Sequence, residues 1–423
     1  LPPPNALIIK NISQVVTCEP ALFDSADQSG KEIGLIEDGC ILIANGLIQA
    51  VGRQAGFSAS DFHPADEIDA TGCVVLPGLV DSHTHAVFTG TREREYEMRI
   101  KGATYMEIAR QGGGINSTVR DVRRASIDDL VGSGRRHLKS MLKKGTTTVE
   151  IKSGYGLTLK DEIKMLKAIR RLAGEVEADV IPTFLGAHEI PPEYKDCRST
   201  YVELVMDEMI PAVSEEGLAE FCDVFCEKGV FTAEESRRIL LRGKDCGLKP
   251  KIHADEFADS GGAMVAAEVG AVSAGHLAHA SEEGLRAMKA AGTVAVLLPG
   301  VSVGLGKTEF ADSRRMFDLG MDVAVATDFN PGSSMVDSLL VVSSLACSFM
   351  GMTPAEVLLA LTAKAARAVD RESEIGSITP GKRADIVVFQ APDFRYIPYH
   401  LGGDIVGTVI KRGRVVCDNR VVD

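Results

Sequence analysis

Apolar and polar positions divide this 423-residue chain into three textures. Residues 1–75 read as short strands. ALIIKNI, GCILIANGLIQAVG and the run into GCVVLPG are β-rich, with turn signals at Asp38-Gly39 and Asn45-Gly46. Residues 375–423 return to that texture in ADIVVFQA and IVGTVIKRGRVVCD. Between them, over 76–374, short apolar runs alternate with longer amphipathic stretches such as KDEIKMLKAIRRLAGEV.

The strand candidates of the middle region are VVLPGLVDSHTH, TTTVEIKSG, VIPTFLGAH, FCDVFCEKG, PKIHADE, AVSAGHLA, TVAVLLPG and VAVATDFN. Each is followed by a helix-like stretch. Eight strand–helix units predict an α/β fold: a (β/α)8 TIM-like barrel, with a small β-sandwich module formed by both termini. A doubly wound open sheet is the rival, but no G-x-G-x-x-G follows any of these strands.

In such a barrel, chemistry gathers at the C-terminal ends of the strands, and the unusual residues fall there. His83 and His85 end the first strand and Ser153-Gly154-Tyr155 follow the second. His188 lies beyond the third, and Cys226 and Glu227 close the fourth. His253 and Glu256 mark the fifth, His276 the sixth and Asp328 the eighth. Residues i and i+2 of a strand point to one side, so His83 and His85 can grip one cation. With His253 and Asp328 they make a nitrogen-rich set that suits Zn²⁺ or Fe²⁺ better than Mg²⁺ or Ca²⁺. Such an ion draws the pKa of water from about 15.7 toward about 7, as a hydrolase requires. One H-x-H alone is weak; the coincidence of five such residues at strand ends carries the reading.

Other residues read less sharply. His188 and Tyr155 suit packing or turn roles as well as substrate contact. Tyr155, between Gly154 and Gly156, is expected on an exposed loop. Arg92 belongs to the charged run TREREYEMR, ordinarily a solvated helix face, and only its place after the histidine pair singles it out. His63, His137, His279 and His400 read as structural or surface residues, and Cys222 and Cys226 as core thiols.

Composition narrows the partners. Forty-six Lys and Arg against 59 Asp and Glu give a net charge of −13, which argues against nucleic acid or an anionic membrane. Nine scattered cysteines predict no disulfide framework and a cytoplasmic location. The best apolar run, TVAVLLPGVSVGLG, is short and broken by Pro299. The first residues lack a basic-then-apolar pattern, so no signal peptide is expected, and a start at Leu1 suggests that the initiator is missing.

The stretches PGLVDSHTHAVFTGTRE, KGATYMEIARQGGGI, TTTVEIKSGYGL, LGAHEIPPEY, VFCEKGVF, KIHADEF, VAVLLPG and ATDFNPGS, spread over roughly residues 75–335, resemble the amidohydrolase superfamily. The resemblance implies one divalent metal ion, Zn²⁺ or Fe²⁺, on His83, His85, His253 and Asp328. It implies catalytic roles for Glu256, His276 and Asp328. Substrate contacts fall to Arg92, Tyr105, Tyr155, His188 and Glu256, and a product-carboxylate site to Asn330, Gly332 and Ser333. The implied activity is hydrolysis of a cyclic amide in a small anionic imidazolone, by a homodimer. The alternatives are a related aminohydrolase that releases ammonia, or a catalytically silent metal-binding protein on the same fold. Two stretches depart from the family pattern. SAGHLAHAS has glycine where an acid is expected before His276, and residues 301–309 lack the expected Thr-Pro-aromatic run.

Overall fold

The computed structural model describes residues 6–20, 28–57, 66–103, 107 and 112–419. In chain order the N-terminal strands are β1 (Leu7–Val16), β2 (Leu35–Ala44), β3 (Leu47–Arg53), β4 (Asp66–Asp69) and β5 (Val74–Pro77). The barrel strands are β6 (Leu79–Asp81), β7 (Thr146–Lys152), β8 (Asp179–Ala187), β9 (Phe221–Cys226), β10 (Lys249–Ala254), β11 (Ser273–His276), β12 (Val294–Leu297) and β13 (Val323–Val325). The chain returns through β14 (Ile386–Phe389), β15 (Val406–Lys411) and β16 (Arg414–Asp418).

Strands β6 to β13 pair in sequence order, all parallel. A parallel bridge between Thr84 and Phe329, just beyond β6 and β13, closes the ring. The eight-unit barrel read from the alternating texture is therefore present. Its helices start where the sequence supplies caps: Ser126 with Asp129 begins Ile127–Lys143, and Thr232 with Glu235 begins Ala233–Asp245. In Leu159–Ala173 the buried positions include Glu162, Met165, Leu166, Ile169 and Leu172, the stripe that faces the strands.

The terminal strands form a second sheet, ordered β16-β15-β14-β5-β1-β2-β3, with β4 also on β1. It encloses its own core, including Ile9, Ile12, Ile41, Val75, Ile386 and Ile410, and so supplies the small module expected from both termini. β5 pairs with β14 and runs through Gly78 into β6, which ties this module to the first barrel strand. Asn45-Gly46 makes the two-residue hairpin between β2 and β3, both residues at positive φ. Asp38-Gly39 does not turn the chain. It lies inside β2 with Asp38 at φ +51°, opposite an irregularity in β1, where a kink serves in place of a hairpin. Among the described residues no helix is long and apolar enough to cross a membrane.

Candidate active site

The seam of the barrel sets the site. Past the end of β6, the His83 carbonyl accepts from Asp328 N at 3.0 Å, and His85 N donates to the Phe329 carbonyl at 3.0 Å. These bonds hold the two imidazoles and the carboxylate level with each other. Asp328 (φ +47°) and His276 (φ +72°) are left-handed. Such a conformation costs about 1–2 kcal/mol in a non-glycine residue. It is kept here at two strand ends whose side chains enter the mouth.

Four ligand atoms converge. His83 Nε2 lies 3.1 Å from His253 Nε2, and His253 Nε2 lies 3.4 Å from His85 Nε2. Asp328 Oδ1 lies 3.5 Å from His83 Nε2 and 3.3 Å from His85 Nε2. Donors about 2.0–2.1 Å from a tetrahedral ion stand about 3.3–3.4 Å apart, so the observed edges fit a Zn²⁺- or Fe²⁺-sized ion. Asp328 Oδ1 is buried and has no hydrogen-bond partner among the described residues, an orphan that a cation would satisfy. Burial drives His83 and His85 well below the usual imidazole pKa, so their nitrogens are neutral donors. Burial also pushes Asp328 up to about 7, against the pull of His253 and Lys152.

Two further triplets, His83/His253/His276 and His85/His188/His253, have ligand atoms equally close. All of the triplets draw on the same three imidazoles, and one nitrogen lone pair binds one ion, so the cluster suits a single metal. Beside it His276 Nε2 is buried and has no hydrogen-bond partner among the described residues. Glu256 Oε2 stands 3.6 Å from His276 Nδ1. Burial, with the charge of Asp328 behind it, holds Glu256 well above the usual carboxyl pKa, which favours its protonated form.

The substrate candidates are placed as follows. His188 hydrogen-bonds Gly154 O through Nδ1 at 2.9 Å and stacks on His85 at 5.0 Å between centroids. Tyr155 is buried, 4% exposed, with its ring against both His85 and His188. The exposed loop expected from its flanking glycines is thus corrected. Glu162 gathers the amides of Gly154, Gly156 and Leu157 at 2.7–3.2 Å and folds the loop inward. Arg92 precedes the helix Glu93–Ile100 and gives Nε and Nη2 to Glu95 at 2.9 and 2.8 Å. A Cβ built at Gly332 would overlap Arg92 Nη1, which puts the guanidinium against the Asn330–Ser333 turn. In that turn Asn330 Oδ1 accepts from Gly332 N and Ser333 N, each at 2.8 Å. Tyr105 and His63 lie outside the described residues. His137 packs on Phe88 and bonds Ala86 O at 2.9 Å, and Cys222 and Cys226 are buried.

The two departures border the site. Gly275 fits against His83, since a Cβ there would stand 2.7 Å from His83 Cε1. The stretch after Leu298 forms the helix Pro299–Gly304, and a cleft lined by Glu256, His276, Pro299, Lys307 and Phe310 opens beside it. A larger cavity, about 810 Å³, lies at the opposite foot of the barrel. Four of its five basic residues are already matched: Asp179 pairs with Lys411, Arg383 and Arg412, and Arg371 with Glu220.

Beneath the cluster of His83, His85, His253 and Asp328 lies a set of ions not anticipated from the sequence. His253 Nδ1 is 3.0 Å from Asp223 Oδ1, and Asp223 Oδ2 accepts from Lys152 Nζ at 2.8 Å. Lys152 also donates to Glu150 at 2.7 Å, and Lys251 Nζ stands 3.7 Å from Glu150. All four charged residues are 0–2% exposed. Burial would raise the Asp223 pKa, but Lys152 and His253 hold it far below the carboxylate range.

Comparison with known proteins adds the lineage. The amidohydrolase family model matches residues 74–416. A protein of Geobacillus kaustophilus named imidazolonepropionase is 52% identical over 98% of both chains. One of the same name from Alkaliphilus oremlandii is 46% identical over 97% of both. Among solved structures, a 5-methylcytosine deaminase from Klebsiella pneumoniae superposes with a TM-score of 0.75 at 17% identity, over 98% of this chain and 99% of that one. A zinc-bound adenosine deaminase from Xanthomonas campestris gives 0.73 at 18%, over 99% and 94%. At that identity the structural matches speak for the fold alone.

Proposed function

The chain belongs to the amidohydrolase family, in its imidazolonepropionase branch, and from that premise we propose how the site opens the ring of 4-imidazolone-5-propanoate with water to give N-formimidoyl-L-glutamate. One observation carries the proposal. Three imidazole nitrogens and an orphaned carboxylate oxygen meet at tetrahedral spacing, with the buried Glu256 carboxyl beside them against His276.

Hydrolysis of a cyclic amide needs an activated water, a place for charge on the carbonyl oxygen, and a proton for the departing nitrogen. His83, His85, His253 and Asp328 would hold a divalent ion, Zn²⁺ or Fe²⁺, whose Lewis acidity would serve the first two needs. His276 presents Nε2 to the attacking water and steadies the oxygen as it gains charge. Asp328 shares the base role, taking the proton as the water oxygen bonds to the carbonyl carbon. Glu256 delivers its proton to the ring nitrogen as the C–N bond breaks. Arg92 binds the propionate, Tyr155 and His188 flank the ring, and Tyr105 is a further substrate contact that the resemblance implies. The Asn330–Ser333 turn receives the new carboxylate, which displaces Asn330 Oδ1 from the amides of Gly332 and Ser333. We place the enzyme, as a homodimer, in a reducing cytoplasm, which suits its nine scattered cysteines.

The test is turnover of freshly made imidazolone propionate by the zinc- or iron-loaded protein, with and without a chelator. Formation of the dicarboxylate without ammonia is expected. Release of ammonia would assign an aminohydrolase, and a metal-replete protein that leaves the ring closed would overturn the proposal.

A further inference from the structure

Barrel interiors are ordinarily filled with branched apolar side chains. Lower in this one Val80, Phe221, Val294 and Val296 do so. Directly under the metal ligands the filling changes to Glu150, Lys152, Asp223 and Lys251, every one buried. Packed hydrophobic residues of similar volume would serve a purely structural purpose at least as well, because desolvating ions is unfavourable. The arrangement is also directional. Glu150 holds Lys152, Lys152 holds Asp223 through Oδ2, and Asp223 holds His253 through Oδ1, at 2.7, 2.8 and 3.0 Å in turn.

We propose that Lys152, acting through Asp223, is a positioning residue for the metal: the Glu150–Lys152–Asp223 chain fixes the ring of His253 with Nδ1 as donor and so leaves the Nε2 lone pair aimed at the ion. Asp223 has one oxygen for the lysine and one for the imidazole. The lysine prevents the carboxylate from rotating away or from binding the ion itself. His253 Nε2 sits within 3.1 Å of His83 Nε2 and 3.4 Å of His85 Nε2, so a small rotation of its ring would spoil the donor set. The proposal rests on the metal site described above, but it concerns ion binding and not the choice of substrate.

Charge supplies a competing explanation that can be separated. Glu150, Asp223, Lys152 and Lys251 sum to zero in their usual ionised forms, so removing one charge alters the field at the ion as well as the orientation of the ring. In Lys152→Met/Asp223→Asn the pair is removed without a net change. Zinc affinity is measured on full-length protein by competition with a chromophoric chelator, and the unfolding of the metal-free protein is followed in parallel. Asp223→Asn is expected to weaken zinc binding about 10–100-fold, the range typical for such outer partners. The double variant is expected to stay at least tenfold weakened, and Lys152→Met alone to lose affinity as well. Wild-type affinity in the double variant, or unchanged or tighter binding in Lys152→Met, would overturn the proposal.

If a variant does not fold, the wild-type protein still decides. With ¹⁵N-histidine and zinc bound, His253 is expected to carry its proton on Nδ1. A proton on Nε2, or none on Nδ1, would overturn the proposal. These readouts contain no substrate, so they stand or fall separately from imidazolone turnover.

Discussion

Replacing Arg92 by alanine tests the substrate assignment most sharply, because the structure shows which part of the guanidinium is free to act. Nε and Nη2 are given to Glu95, whose other oxygen accepts from Gly114 N at 3.1 Å. Nη1, together with the second hydrogen of Nη2, remains for an incoming carboxylate. A charge-assisted contact of this kind contributes about 1.5–3 kcal/mol. At 1.4 kcal/mol per tenfold, KM should rise about 10–150-fold. If the arginine only anchors the propionate, kcat should stay within about threefold. Two companions separate the anchor from its mount. Glu95→Gln keeps the guanidinium and should move KM less than tenfold. Gly332→Ala leaves every charge in place, yet its Cβ would occupy the space of Nη1, so KM should rise with it. The assay is initial velocity against concentration, followed by loss of imidazolone absorbance. An unchanged KM in Arg92→Ala, or a fall of kcat and kcat/KM together at constant KM, would refute the anchoring argument.

Glu256→Gln removes the proton donor but not the ion. It should cut kcat about 10²–10⁴-fold at unchanged metal content, measured by elemental analysis beside turnover. Chelation should abolish activity, and Asp328→Asn should do the same in a folded protein. Hydrogen exchange should also show the amides of His85 and Asp328, which bond across the barrel seam, exchanging faster in the metal-free protein. Away from the site, Glu235 caps a helix and pairs with Arg198 at 2.7 Å, and that bond holds its pKa down at about 2. A depressed carboxyl stabilises the fold above its unfolded pKa of about 4.5 and ceases to do so as pH falls toward 2. Glu235→Gln should therefore flatten that acid limb of a Tm profile and lower stability by about 1 kcal/mol at neutral pH.

Much of this was legible in the chain because period and position coincide. Eight apolar runs separated by helical stretches specify the barrel, and titratable residues at their ends mark its open face. Asp38-Gly39 misled because the same dipeptide that makes a hairpin also makes a kink within a strand, and only the partner strand decides. Tyr155 misled because its glycines suggested exposure, whereas Glu162, further along the chain, folds them inward. The buried ions under the histidine cluster went unread although they carry a signal. His83 and His85, then Glu150 and Lys152, then Lys251 and His253, stand two apart along their segments. Alternation of that kind places each set on the lumen side of a barrel. Sequence alone does not show which charge meets which, since the partners lie on different strands.

The seam explains why the ligands come from the two ends of the barrel. β6 and β13 have three residues each, and only the Thr84–Phe329 bridge is formed between their continuations. That is little pairing for the joint that turns a sheet into a barrel. His83 and His85 stand on one side of this joint and Asp328 on the other, so an ion bound to all three would cross-link the first barrel strand to the last. His253, from the middle of the sheet, then reaches across the lumen to the same point. Binding to the closed form alone stabilises it by mass action. The ion that supplies the chemistry would then also fasten the barrel at the place where its backbone pairing is thinnest. The terminal sheet, joined to β6 through β5 and Gly78, fixes one side of that joint from outside.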